Sequence, residues 1–314
     1  MTEGRRYGLK RERKEYSIYG FNYVDVIIYI FMGLLALTTV YPFIFVIANS
    51  MSEPLEVAAN NVWFFPKGFS LKSYERVLSS KAIFRAFGNS VFFTGLITFL
   101  NVLNSLCAGF ALSKKGLMGR KYIVLYLMIP MFFNAGLIPT FIMINNYNML
   151  NTLWAIILPS IVGIWNIILA RTYINNLPDG LREAAKIDGA NDIRILFDII
   201  IPISKPIIAV LSLYTALGIW NSWFNFMVYL PTRAEWHPLQ NFLMKALLWG
   251  QMNQTLQAGE ELDPELLKDR IRLAAVAAQL KYAVIMVATL PIMTVYPFVQ
   301  KYFIQGALLG SLKE

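Results

Sequence analysis

Apolar residues in this chain come in long runs, not at the alternating or three-to-four-residue spacing of a half-buried element. A helix of about 20 apolar residues crosses the roughly 30 Å hydrocarbon core of a bilayer. Six runs reach that length: Val24–Ile47, Ser90–Leu112, Tyr122–Ile144, Leu153–Tyr173, Ile207–Leu230 and Tyr282–Phe303. They predict an all-α multi-pass membrane protein with six transmembrane helices. Pro42, Pro130, Pro139, Pro159, Pro291 and Pro297 fall inside these runs. Proline is tolerated there when neighbouring groups satisfy the backbone it frees.

Basic residues beside the runs orient them. Residues 1–23 carry Arg5, Arg6, Lys10, Arg11, Arg13 and Lys14, and the segment Ser113–Lys121 carries Lys114, Lys115, Arg120 and Lys121. The segment Asn145–Thr152 carries none. The tail 1–23 and segment 113–121 are therefore expected in the cytoplasm. An even number of spans then puts both termini there, together with a polar loop at 176–202. Segments 48–89 and 231–279 are expected outside. The first run is too long for a signal-peptide core and no small-residue cleavage pattern follows, so it reads as an uncleaved first span. Residues 24–314 form one predicted membrane domain, with no internal repeat, low-complexity tract or linker.

Composition agrees with a bilayer as solvent. The 314 residues are 57% hydrophobic and 15% charged, against about 25% charged in a soluble domain, and the mean hydropathy is +0.51. The net charge of +9 sits in short clusters beside the runs rather than in one stripe, which argues for topology signals over nucleic-acid binding. Cys107 and His237 are the single residues of their kinds. No disulfide framework, thiol metal site or Ser-His-Asp set is expected from them. A GxxxxGK[ST] phosphate loop, an HExxH pair and a dinucleotide-binding glycine fingerprint are all absent from the sequence. The chain is therefore expected to be no enzyme.

The polar loop 176–202 has its own grammar. Pro178 suits the first turn of a helix, and Asp179 puts negative charge at the positive end of its dipole. Leu181 to Asp188 continues that helix, and Gly189 stops it, as a left-handed position requires. Asn191 can cap a second helix with an apolar stripe at Ile193, Leu196, Phe197 and Ile200, ended by Pro202 and Pro206. Small residues at Ala184, Ala185, Gly189 and Ala190 permit close approach, while Glu183, Lys186 and Asp188 offer charge. Taken alone, this is either a capped connector or an elbow gripped by a partner.

Glu183-Ala-Ala, then Asp188-Gly-Ala, then Pro202 resembles the EAA loop of ABC-importer permeases. Tyr41-Pro-Phe…Asn49-Ser and the tail Gln300-Lys-Tyr-Phe-Ile-Gln-Gly306 are similar to carbohydrate-importer permeases. The likeness is to the smaller permease of the oligosaccharide class that includes the maltose transporter, and within it to the branch handling complex oligosaccharides or polysaccharide fragments. It implies a type I ABC-importer permease fold in a bacterial cell membrane. It implies a second homologous permease, two ATP-binding subunits holding ATP and Mg, and an extracytoplasmic solute-binding protein as partners. It also implies that Glu183, Ala184, Ala185, Lys186, Asp188, Gly189, Ala190 and Pro202 couple the chain to the ATP-binding subunit.

Apart from Asp25, Arg171 and Lys301, at span ends, the six runs lack Asp, Glu, Lys and Arg, which disfavours an ion relay and suits a neutral solute. In span five, Tyr214, Gly218, Asn221 and Asn225 share a face at helical spacing, beside Trp220, Trp223, Phe224 and Met227. Aromatic faces with a few fixed polar groups suit sugars, so Tyr214, Asn221 and Asn225, with Trp165, Asn166 and Asn134, are candidate path residues. Asn101 and Asn104 are further candidates. The competing reading is that such polar groups join helices to one another. Asp263-Pro264-Glu265 starts an amphipathic helix in the long outer segment. By resemblance, Trp249, Gly250, Gln251, Glu260 and Glu261 are candidates for docking the solute-binding protein. Two other functions fit the residues alone: a gradient-driven sugar transporter or channel, and an assembly protein without a conduit.

Overall fold

The computed structural model describes residues 23–133, 135–245, 247 and 264–311. Among them every regular element is helical. In chain order these are α1 (Tyr23–Ser50), α2 (Pro54–Ala58), α3 (Lys72–Ser79), α4 (Lys81–Ser113), α5 (Arg120–Phe132), α6 (Leu137–Asn146), α7 (Trp154–Ile161), α8 (Ile164–Asn175) and α9 (Asp179–Ile187). Next come α10 (Asp192–Arg194), a π-helical segment (Ile195–Ile200), α11 (Ile201–Ile203), α12 (Lys205–Trp220) and α13 (Phe224–Tyr229). A further helix covers 239–245, and α14 (Pro264–Ser311) is last.

Tyr23–Ser50, Lys81–Ser113, Trp154–Asn175 and Ile271–Val295 are each long and apolar enough to cross a membrane. The number of spans reaches six if each of two bent pairs counts as one, α5 with α6 at 115° and the segment Asp192–Ile203 with α12 at 83°. The expected third span is thus not one straight rod. Pro130 removes a backbone donor within α5, and Gly136 takes φ +85° just before α6. The expected fifth span is also broken, because α12 stops at Trp220 and α13 starts at Phe224. Asn221 bonds its own side chain to the Leu217 carbonyl, 2.9 Å away, and Asn241 reaches the freed Trp223 carbonyl at 3.0 Å. The last span runs further out than its apolar run, since α14 begins at Pro264 and carries the amphipathic segment as a direct extension.

The bundle is organised on α4, which packs against α7, α8 and α12. Near its lower end Gly109 lets α8 come close. A Cβ there would lie 2.8 Å from both the Ala170 Cβ and the Arg171 backbone nitrogen. Midway up, the α7–α8 break leaves carbonyls without helical partners. Asn101 donates to the Ser160 carbonyl at 2.9 Å and Asn104 to that of Ile161 at 3.4 Å. Asn166 in α8 donates to Asn101 Oδ1 at 2.7 Å and to Thr215 Oγ1 at 2.9 Å. Thr215 in turn donates to Asn101 Oδ1 at 3.2 Å. One buried asparagine therefore joins α4, α7, α8 and α12 where lipid offers no hydrogen bonds of its own.

Apolar layers lie above and below this junction. Phe93, Ile97, Ile144, Ile156, Phe226 and Leu230 fill the upper one, and Val102, Leu106, Ala170 and Leu211 surround the middle. At the outer end buried Gln279 of α14 accepts from Ser73 Oγ at 2.6 Å and donates to the backbone of Ser52 and Ser70, tying α14 to α3 and to the chain after α1. Helix α1 itself is apolar and turned away from the bundle along most of its length.

Replacing Asn101 by Leu removes the junction, taking the Asn101 donor from the Ser160 carbonyl and leaving the Asn166 amide with Thr215 alone. A loss of about 2 kcal/mol is expected, read as a lower unfolding midpoint in detergent, whereas Asn221→Leu at the exposed end of α12 should barely move it.

Candidate functional site

The polar loop folds as an elbow under the lower end of α4. Helix α9 ends at Ile187, and Gly189 turns the chain at φ +77°, a conformation that an L side chain adopts only with strain. Asn191 then caps the next helix, its Oδ1 accepting from the Arg194 amide at 2.8 Å. The turn widens to π geometry over Ile195–Ile200, just ahead of Pro202, whose missing N–H cannot close an ordinary helical bond. The chain breaks again at Ser204, where α12 departs at 83°.

Two kinds of contact hold the elbow to the bundle. Ala185 is 6% exposed and packs with Phe110, Ile174, Ile195, Leu196 and Ile200. The Phe110 ring lies between the Lys114 ammonium at 5.3 Å and the Arg182 guanidinium at 5.4 Å, two cations over one aromatic face pair. Arg182 also donates to the Ile174 carbonyl at 3.1 Å. The second contact is electrostatic. Lys114 pairs with Asp192, and Lys115 pairs with Asp179 at 2.7 Å. Adjacent lysines just beyond α4 therefore grip one carboxylate at the start of each elbow helix. Hydrogen bonds from Lys115 and Lys114 hold the Asp179 and Asp192 carboxyls below the usual carboxylate range. Burial draws the Arg182 guanidinium downward, partly offset by Asp179. A cleft of about 480 Å³ lies beside these groups, lined by Phe110, Asp179, Glu183 and Lys186 among others.

The residues on the open side of the elbow are Glu183, Ala184, Lys186, Asp188 and Gly189. Ala190 is half-buried and Pro202 lies where the second helix meets the membrane-crossing α12. The expected pair of packing alanines divides: Ala184 faces out, but Ala185 is occupied by its own bundle. Ile187, not singled out in the sequence, is 86% exposed at the tip. An apolar side chain this open beside a glycine elbow is what a docking surface offers. Lys114 and Lys115 were legible only as topology signals, because their partners lie 64 or more residues away in sequence.

The candidate path residues separate as well. Asn166, Asn101 and Asn104 are absorbed by the junction between helices, so their geometry matches the helix-joining reading rather than an open lining. Trp165, Tyr214, Asn221 and Asn225 face out of the chain's own bundle. The helical break at Asn221–Trp223 means that Asn225 does not continue the α12 face, as a straight span would have had it. Asn225 instead borders a cavity of about 290 Å³ with Thr140, Ser160 and Tyr229. Asn134, Trp249, Gly250, Gln251, Glu260 and Glu261 lie outside the described residues. Among the described residues no group of three or more His, Cys, Asp or Glu is placed to hold a metal ion.

Comparison with known proteins places this architecture. The family model for the binding-protein-dependent transport system inner membrane component matches residues 105–308. The polygalacturonan/rhamnogalacturonan transport system permease protein YtcP of Bacillus subtilis (strain 168) is 36% identical over 291 residues, covering 92% of this chain and 98% of that protein. Protein LplC of the same organism is 35% identical over 289 residues, covering 92% and 94%. The arabinooligosaccharides transport system permease protein AraQ of Halalkalibacterium halodurans is 27% identical, covering 90% and 94%. A crystal structure of a bacterial ABC transporter involved in the import of the acidic polysaccharide alginate superposes with TM-score 0.79 at 29% identity, covering 90% of this chain and 96% of that one.

Reversing one charge of the clamp by Lys114→Glu should speed amide hydrogen exchange in Asp179–Ile203 roughly two- to fivefold, and adding Asp192→Lys should restore it. The two carboxyls titrate below their ordinary value of about 3.9, so the clamp holds above that pH and weakens as pH falls through the lowered values. Exchange that is indifferent to both the substitution and acid would remove the clamp from the mechanism.

Proposed function

The chain belongs to the family of inner membrane components of binding-protein-dependent transport systems, and on that premise we propose that it is the permease subunit of an ATP-driven importer for oligosaccharides or polysaccharide fragments. The observation that carries the proposal is the elbow: an exposed, charged and partly apolar tip whose root is fastened to α4. The relatives' named sugars, polygalacturonan, rhamnogalacturonan and arabinooligosaccharides, supply the substrate class. The lack of a phosphate-binding loop assigns ATP and Mg to two separate ATP-binding subunits. A second, similar permease and an extracytoplasmic solute-binding protein complete the assembly.

Placing Lys114, Lys115, Arg120 and Lys121 in the cytoplasm, as their density suggests, puts the elbow there too, together with both termini. The ATP-binding subunit then receives Glu183, Ala184, Lys186, Ile187 and Asp188. Movement of the tip passes through Ala185, Phe110 and the two lysines to the lower end of α4. From there the Asn101 junction carries it to α7, α8 and α12. Because helices in a close-packed bundle shift as units between discrete arrangements, the expected outcome is alternating access. Trp165, Tyr214, Asn221 and Asn225 would line the path jointly with the second permease, offering stacking faces and amide hydrogen bonds to sugar hydroxyls. The chain makes and breaks no covalent bond.

The decisive variant is Gly189→Val in the assembled importer in liposomes. Valine at φ +77° forces the elbow to rearrange, so ATP-dependent sugar uptake should fall at least about tenfold, the effect of roughly 1.4 kcal/mol of lost coupling, while the chain still inserts. Unchanged uptake and ATP hydrolysis would contradict the proposal. Sugar flux through this chain without ATP or other subunits would favour a gradient-driven transporter instead.

A further inference from the structure

Two arginines at the lower end of the bundle have an Nε with no partner among the described residues. Arg120 opens α5, immediately after Gly119 at φ +73°. Arg171 lies in the last two turns of α8, which ends at Asn175. The Nε of each is buried and makes no hydrogen bond, and neither residue takes part in an ion pair of the described residues. Helices α5 and α8 are in contact.

Both arginines sit on the pair of helices that meet there. Ala170 is fully buried against Gly109 of α4. The next residue is turned about 100° round the helix, which carries Arg171 off the α4 interface toward α5. Independent snorkelling would lift each guanidinium into water by its own route. Here both Nε groups are desolvated instead and lack a hydrogen bond, on two helices that are in contact. Such an arrangement is unfavourable until an anion enters it, and the planar guanidinium fork matches a phosphate better than any other common anion except a carboxylate. Exposed Lys121 adds positive charge beside Arg120, and Tyr122 and Tyr126 are exposed along α5, as aromatic residues are at headgroup depth.

We propose that the lower ends of α5 and α8 form a binding site for the phosphate of an anionic membrane phospholipid, held between Arg120 and Arg171 with Lys121 contributing charge. Basic pockets between helices at the cytoplasmic membrane surface suit such headgroups. The site has a structural consequence. No residue of α5 is fully buried in the chain, so a headgroup bridging α5 to α8 fastens the lower arm of the bent third span. The inference requires only that the chain lies in a phospholipid bilayer, so it stands or falls apart from the importer reading.

The test is native mass spectrometry of the full chain, with whatever subunits co-purify, from mixed micelles containing equal phosphatidylglycerol and phosphatidylcholine. The wild type should retain phosphatidylglycerol in preference to phosphatidylcholine. Arg120→Gln with Arg171→Gln should reduce that retention roughly tenfold, Arg120→Lys with Arg171→Lys should keep part of it, and Arg76→Gln at the opposite end should leave it unchanged. Excess inorganic phosphate should not displace the lipid. Equal retention of both lipids by the wild type overturns the proposal without reference to any variant. Displacement by inorganic phosphate, or undiminished phosphatidylglycerol in the double Gln variant, overturns it as well.

Discussion

A carbonyl or amide without a partner is far more costly in hydrocarbon than in water, and the bundle is arranged around that constraint. Its spans are interrupted between α5 and α6, at Val162–Gly163 and at Asn221–Trp223. The second break is answered by Asn101 and Asn104, and the third by Asn241. Apolar packing supplies shape but little net drive among helices already in lipid. The amide network around Asn101 therefore decides which helices move together.

Helix α4 is the element common to both halves of the mechanism. In the membrane it carries Asn101 and Asn104. At its lower end it presents Phe110 to the elbow, and beyond its last turn Lys114 and Lys115 reach both elbow helices. A rigid connection is what an energy-coupling device requires, since a loosely tethered loop would absorb the motor's stroke without moving the bundle. Breaks above the junction give the outer halves of the spans separate segments to reposition, while the junction keeps the lower halves together. Arg120 and Arg171 stand beside this connection, where α5 meets α8.

Much of the fold was legible in the sequence because bilayer thickness writes itself into run length. The elbow was equally readable, since Gly189, Asn191 and Pro202 each perform a local backbone task that depends on near neighbours. What was hidden depends on distant partners or on breaks that hydropathy ignores. Hydropathy averages across the break at Asn221–Trp223, so Asn225 was placed on a face it does not share. Asn166 looked the same as a path residue because an amide that joins helices and an amide that binds sugar have one chemistry. The division between Ala184 and Ala185, and the exposure of Ile187, depend on how α9 sits against Phe110, which no local pattern records.

The central claim is that the tip of the elbow is gripped from the cytoplasm by a nucleotide-hydrolysing subunit. The direct measurement is cysteine crosslinking from Ile187→Cys, in a Cys107→Ser background, within the assembled complex in membrane vesicles. Expected are labelling from the cytoplasmic face only and a short-range crosslink to the ATP-binding subunit whose yield changes when ATP is added. Labelling from the exterior, or a tip that crosslinks to no such subunit, would contradict the mechanism at its root.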